Sequence, residues 1–333
     1  MSPHSADASS TTPSGSPPGS ASAPELALSV PELYATGQRE IRVIFSDVDG
    51  TLLDPEQRLR PRTRLAVAAA AEAGVPLVVA TGKGPRGPWV DRVLTKLPLT
   101  LPRIHTQGLV VVAAGPDGAV LRSRWLERAT AAVAARTAVS LGADPVLYLP
   151  EGCAMRAHTA LADELLVFFG EKSAGAIPDM LDRLDAGSLR VNKVVAMCDP
   201  PTTERVRVGI RAALEAQDLP FEITCAVPGM LEILPVGCSK GEAVEWLLRE
   251  KLHIAPEHAM ALGDGENDVE MLRHVGLGVA MGNAVEQAVQ AADARTASND
   301  EDGVALAIAK YVLAPRGIPA PWDVPGCELG ETY

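Results

Sequence analysis

Apolar residues in this chain come in short unbroken runs, and the stretches between them are amphipathic or rich in alanine. Residues 41–46, 75–80, 259–263 and 277–281 are such runs. Strands buried on both faces of a parallel sheet read this way. The alanine-rich segment 63–73 predicts a helix, with Gly74 as its stop, and helix patterns also follow the third and fourth runs. Alternation of this kind predicts an α/β fold, a doubly wound, mainly parallel, Rossmann-like sheet. Residues 108–113 and 119–122, joined by Gly115-Pro116-Asp117-Gly118, have the spacing of a hairpin.

The middle of the chain has a different pattern. A long alanine-rich helix is predicted over 127–141, strands over 146–149 and 191–197, and helices over 161–169, 179–185 and 204–216. This predicts an α+β module at 127–221 inserted into a core domain made of 39–126 and 222–313. Residues 1–38 are rich in Ser, Pro, Ala, Gly and Thr, have no Lys or Arg before Arg39, and are predicted to be disordered. They lack the basic start and apolar core of a secretory signal, and the arginines of a typical transit peptide. A cytoplasmic location follows, with a plastid as the alternative because the segment is serine-rich and poor in acids. The proline-rich tail, 314–333, is expected to be irregular and to pack in part against the body.

Composition narrows the function classes. No apolar run approaches the ~20 residues of a membrane span, so no membrane role is expected. The formal net charge of −12 over 333 residues opposes non-specific binding to nucleic acid. A phosphorylated substrate would also feel that field and must be held by local positive features. Five cysteines without a CxxC pair point to a reducing compartment, and Cys238 reads as a packing residue.

Candidate chemistry sits where the predicted strands end. In Asp47-Val48-Asp49-Gly50-Thr51-Leu52-Leu53 an apolar strand delivers two carboxylates into a glycine turn. One can attack phosphorus and hold a magnesium ion while the other handles the proton of the leaving oxygen. An Asx-rich turn is the bland alternative. Ala80-Thr81-Gly82-Lys83 puts a hydroxyl and a glycine at the end of the second strand. Thr81 and the backbone at Gly82 could bind phosphate, although a helix N-cap accounts for Thr81 alone. Ser239 and Glu242 have the spacing of a capping box, which puts Lys240 in a first helical turn, where the dipole prefers an anion. In Gly263-Asp264-Gly265-Glu266-Asn267-Asp268 a strand again ends in acids. A hard cation wants oxygen ligands, and Asp264 is the best second one. Glu266 and Glu270 read as solvated helix charges.

The order DVDGTLL, ATGK, SKG and GDGENDVEML resembles the haloacid dehalogenase superfamily, and within it the Cof-type, C2-capped phosphatases of subclass IIB, with a plant-like branch. The resemblance spans about residues 40–313 and includes EILPVGCSKGEA and GVAMGNAVEQAVQAADA. It implies a Mg²⁺-dependent phosphatase acting on a small phosphorylated metabolite such as a sugar phosphate, with the inserted module as a cap. Asp47 would be the nucleophile and a metal ligand. Asp49 would be the general acid and base, its backbone carbonyl also on the metal. Thr81 and Lys240 would bind the phosphoryl group and Asn267 would contact it or orient the loop, while Asp264 and Asp268 complete and support the metal site. Two departures stand out: Lys83 where the family often has Arg, so that a bidentate contact is lost or moved to a neighbour such as Arg86, and Thr106-Gln107-Gly108-Leu109 where it often has Asn-Gly-Ala. A phosphomutase, a sucrose- or trehalose-phosphate phosphatase and a non-catalytic phosphometabolite sensor are the alternatives. Arg156 and Lys193 of the module could reach substrate, with surface or packing roles as the simpler reading.

Overall fold

The structure, a computed structural model, describes residues 29–325 apart from Pro116, together with Cys327. In chain order the strands are β1 Val43–Ser46, β2 Leu77–Val79, β3 Arg103–His105, β4 Val110–Val112, β5 Val120–Ser123, β6 Asp144–Leu149 and β7 Gly152–Met155. They continue with β8 Ser173–Ala176, β9 Lys193–Met197, β10 Glu222–Val227, β11 Met230–Leu234, β12 Ala259–Gly263, β13 Leu277–Ala280 and β14 Ala294–Arg295. The helices are α1 Val30–Ala35, α2 Pro61–Glu72, α3 Pro88–Val93, α4 Arg128–Ser140, α5 Ala160–Val167 and α6 Met180–Asp185. After these come α7 Thr203–Glu215, α8 Lys240–Leu247, α9 Val269–Arg273, α10 Glu286–Ala291 and α11 Gly303–Ile308.

The core is a five-stranded parallel sheet in the order β14-β13-β12-β1-β2. Its residues feed two cores by turns, as a strand's alternation requires. Ile44, Leu77, Val79 and Leu262 pack with α2 and α11 on one face. Val43, Phe45, Val78 and Ala261 pack with α8 and α9 on the other. Burial on both faces is why these strands read as unbroken apolar runs. A three-stranded antiparallel sheet, β3-β4-β5, leans on this core through the bridge from Ala80 to Ile104.

The inserted module is a six-stranded sheet in the order β10-β11-β9-β6-β7-β8. Leu147, Val194, Leu231 and Ile233 on one face pack with α4, α6 and α7. The other face carries Tyr148, Cys153, Val195 and Met230. This corrects the predicted boundary at residue 221: β10 and β11 pair in the module sheet, so the chain returns to the core only after Leu234. The alternation in 222–234 looks the same whichever sheet receives it, and only the long-range pairing with β9 assigns it.

The predicted disorder of 1–38 needs correcting where the structure describes it; residues 1–28 lie outside the described residues. Ser29 and Glu32 form a capping box that opens α1. Tyr34 is fully buried and its hydroxyl donates to the Glu257 carbonyl at 2.6 Å. One aromatic in six residues is too short a pattern to show a helical period. In the tail, the turns over 314–316 and 321–323 are ordered, and Trp322 packs on the core beneath Arg62. Gly326 and 328–333 lie outside the described residues.

Candidate active site

Neighbouring parallel strands end side by side, so β1 and β12 deliver Asp47 and Asp264 to one edge. The Asp47 backbone N–H still donates to the Leu262 carbonyl at 3.0 Å, which fixes where its side chain begins. The chain then turns sharply at Gly50, whose φ is 79°. The Asp264 carboxylate occupies the place where a Cβ on Gly50 would sit, so both the turn and the close approach require glycine. Thr51 Oγ1 donates to Asp264 Oδ1 at 2.7 Å, and Asn283 Nδ2 donates to the Gly50 carbonyl at 2.8 Å. Asp47, Asp264 and Asp268 each offer an oxygen within 4.8 Å of the others.

Lys240 is the positive centre of this cluster. Ser239 caps α8 by accepting the Glu242 N–H at 3.1 Å, which aims the fully buried Lys240 at the sheet edge. Its Nζ lies 2.6 Å from Asp47 Oδ1 and 2.8 Å from Asp268 Oδ1. The anion wanted at this helix start is therefore supplied by the protein's own carboxylates. Asp268 Oδ2 accepts the N–H groups of Asp264 and Gly265 at 3.0 and 2.9 Å. With both oxygens engaged, Asp268 orders the loop and Lys240 rather than offering a free ligand atom.

One lysine does not neutralise this many carboxylates. Burial, then Asp268, pushes the Asp47 carboxyl well above the usual range, and burial with Asp268 raises Asp264 to about 7. Burial alone would lower the Lys240 ammonium, but Asp268 and Asp47 outweigh it and hold the group above its ordinary value. Hard oxygen donors in mutual repulsion are the donor set a divalent cation fits, and Asp47 and Asp264 are the residues with capacity to hold one.

The cavity over this edge is small, about 40 Å³, and Asp47, Asp49, Gly82, Lys83, Asp264 and Asn267 line it from the core. Tyr148, Phe169, Glu171, Met230 and Glu232 close it from the module. Thr81 is fully buried and does not line this cavity; its Oγ1 accepts the Lys83 N–H at 3.1 Å, a loop-capping role without a helix at that point. Gly82 faces the cavity, and its carbonyl accepts from module Lys193 at 2.9 Å. Asn267 Nδ2 donates to Gln107 Oε1 at 3.0 Å.

Lys83 is not an exposed loop lysine. It is 3% exposed and its Nζ meets Asp49 Oδ1 at 3.0 Å, Gln57 Oε1 at 3.1 Å and the carbonyl of module residue Phe169 at 2.9 Å. Lys193, for which packing was the simpler reading, is buried too and pairs with Glu232 at 2.6 Å. Gln107 Nε2 donates to Glu232 Oε1 at 2.9 Å, which ties the second departure from the family pattern to a residue of the cavity wall. Arg86 is exposed and lies outside this cavity's lining, and Arg156 is absent from it as well.

Sequence reasoning missed Thr51, Gln57, Phe169, Glu171, Glu232 and Asn283 as site residues. Thr51 could have been found, since it stands inside the first motif. Glu232 and Asn283 also stand inside stretches that carry the family resemblance, whereas Gln57, Phe169 and Glu171 carry no local signal, because their partners are brought by the fold from far along the chain. The arrangement has two carboxylates, Asp47 and Asp49, on the core side of the cavity, and a lysine and cation-fitting oxygens to balance anionic charge. That set can run displacement at an electron-poor, negatively charged centre such as phosphorus.

Comparison with known proteins bears on the same segment. The profile of the family described as haloacid dehalogenase-like hydrolase matches residues 44–308. The chain is 34% identical over 280 residues to the chloroplastic endoribonuclease YBEY of Arabidopsis thaliana, covering 81% of this chain but only 46% of that protein. It thus spans about half the length of that relative. A putative phosphatase of Bacillus subtilis is 29% identical, with 82% of this chain and 99% of that protein covered. Among solved structures, a subclass IIB sugar phosphatase superposes with a TM-score of 0.69 at 22% identity, over 80% of this chain and 97% of that one. A haloacid dehalogenase-like hydrolase from Bacteroides thetaiotaomicron superposes with a TM-score of 0.67 at 25% identity, over 81% and 98%.

Proposed function

The chain belongs to the haloacid dehalogenase-like hydrolases, and on that premise we propose that it is a Mg²⁺-dependent phosphatase of a small phosphorylated metabolite. The observation that carries this reading is the contact of buried Lys240 with Asp47 Oδ1, at 2.6 Å, behind a cavity that Asp47 and Asp49 both line. Asp47 is the nucleophile. Its carboxylate oxygen attacks phosphorus, the bond from phosphorus to the ester oxygen breaks, and Asp49 gives that oxygen its proton. Asp49, now a carboxylate, takes a proton from water as the water cleaves the aspartyl-phosphate, which restores Asp47 and releases inorganic phosphate. Lys83, within 3.0 Å of Asp49 Oδ1, orients that carboxylate. Lys240 and the backbone at Gly82 hold phosphoryl oxygens, Asn267 orients the loop beside them, and Thr81 shapes the turn that presents Gly82. A cation held by Asp47, Asp264 and the Asp49 carbonyl would offset the charge of the transferring group, with Asp268 supporting the set.

A sugar phosphate is the favoured substrate. The named activity of the subclass IIB structural neighbour supports it, and Glu171, Glu232 and the Tyr148 hydroxyl on the module side offer polar groups to a sugar. The ribonuclease name of the Arabidopsis relative is not carried over, since the match covers 46% of that protein and a net charge of −12 disfavours RNA. Its chloroplastic location supports a plastid as the alternative to the cytoplasm. Among the described residues no helix is long and apolar enough to cross a membrane. The test is phosphate release from a panel of phosphorylated sugars and nucleotides, with Mg²⁺ and with chelator, comparing wild type with Asp47→Asn. Metal-dependent release lost in the variant supports the proposal, and near-normal release by Asp47→Asn overturns the nucleophile.

A further inference from the structure

A second cavity of about 480 Å³ lies on the far side of Tyr148 and Glu171, the two residues it shares with the catalytic cavity. Its charged lining is mostly basic: Arg86, Arg103, Lys172 and Arg190, against Glu151 and Glu171. Both oxygens of Glu171 are already engaged, by the Gly84 N–H at 3.0 and 3.1 Å and, through Oε1, by the Tyr148 hydroxyl at 3.0 Å. Among the described residues no carboxylate lies within ion-pairing distance of the four cations.

Arg103 decides what this cavity is for. The residue is 4% exposed and projects from β3. One Nη donates to the Gly115 carbonyl at 2.6 Å, while the buried Nε–H has no partner. A buried guanidinium without a counter-charge is a standing cost that a protein seldom carries without compensation. Arg103 also borders a smaller cavity, but that one is lined mainly by Val90, Leu94, Leu97 and Leu99 and brings no other charged group. The larger one adds the exposed Arg86, Lys172 and Arg190, and Trp125, whose ring stacks under the Arg190 guanidinium at 4.1 Å.

We propose that this cavity is a second ligand site, binding a small organic anion, carboxylate or phosphate, with Arg103 as its buried anchor and Arg86, Lys172 and Arg190 at its rim. The bound anion supplies the charge that Arg103 lacks. The ligand sits behind the wall of Glu171 and Tyr148 and is distinct from the phosphoryl group at Asp47. The site stands whether or not the chain proves to be a phosphatase, because none of its residues takes part in the transfer.

Thermal unfolding of the full-length, metal-free protein tests it, with citrate as a carboxylate probe, inorganic pyrophosphate as a phosphate probe, and chloride at equal ionic strength as the control. Arg86, Arg103 and Arg190 do not line the catalytic cavity, so their variants report on the second site alone. At least one of them raises the wild-type melting temperature beyond the chloride control. Arg103→Met raises the apparent dissociation constant at least tenfold, and Arg86→Ala with Arg190→Ala weakens binding severalfold. These two lie on the exposed rim and keep the test sound if Arg103→Met folds poorly. A response to citrate alone makes the ligand a carboxylate, and to pyrophosphate alone a phosphate. The site is overturned if neither probe exceeds chloride, or if the rim double variant and any folded Arg103→Met bind as the wild type does.

Discussion

At Asp47 a buried carboxylate, beside two others, must find positive charge or take up a proton. Lys240 supplies part of that charge, and the geometry makes different substitutions fail in different ways. Asp47→Asn keeps the shape and leaves Lys240 its contact with Asp268. Turnover should fall by about 10⁴-fold or more while the far-ultraviolet spectrum and melting temperature hold. Lys240→Ala instead strands two buried acids, so it should also cost about 3–5 kcal/mol of stability, read from urea unfolding. Asp49 depends on a weaker grip. Lys83→Ala frees its carboxylate from the contact at 3.0 Å and should lower kcat by roughly 10²-fold with little change in KM. A KM effect alone would place Lys83 on substrate instead.

At the scale of elements, each piece of the site rides on a strand end or helix start whose local pattern is strong. β1, β12 and α8 were legible because their apolar runs and capping residues are local. α1 was not, since its case rests on Tyr34 reaching Glu257, a residue 223 positions away. Removing residues through 38 should therefore lower the melting temperature, where a disordered leader would leave it unchanged. Tyr34→Phe, which keeps the ring and loses the hydroxyl, should cost about 1 kcal/mol. The residues of β10 and β11 were placed in the core domain rather than the module for the same reason: a strand's own sequence does not say which neighbour accepts its hydrogen bonds.

Across the whole molecule, charge and burial set the response to pH and metal. His105 is fully buried and neither ring nitrogen has a partner; burial, then Arg103, lowers it to about 3. Folded, it stays neutral down to that value, whereas unfolded it takes a proton near the ordinary value of 6.5. Stability from this group is therefore complete above 6.5 and is lost as pH falls toward 3, and urea midpoints of wild type should show that acid slope more steeply than His105→Phe. Magnesium should raise the wild-type melting temperature by relieving the repulsion among Asp47, Asp264 and Asp268, and should do so much less in Asp264→Asn. Asp47, Asp49, Asp264, Asn267 and the doubly wound sheet were within reach of the sequence alone, because strand ends, glycine turns and helix caps are encoded over a few residues. The tertiary structure alone decided that Lys83 and Lys193 are buried, that Thr81 stands back from the cavity, and that Glu171 and Glu232 wall it with Gln107 bonded to Glu232. Those contacts join the core to the module across spans such as the 125 positions between Gln107 and Glu232, and only packing of the two sheets brings such partners together.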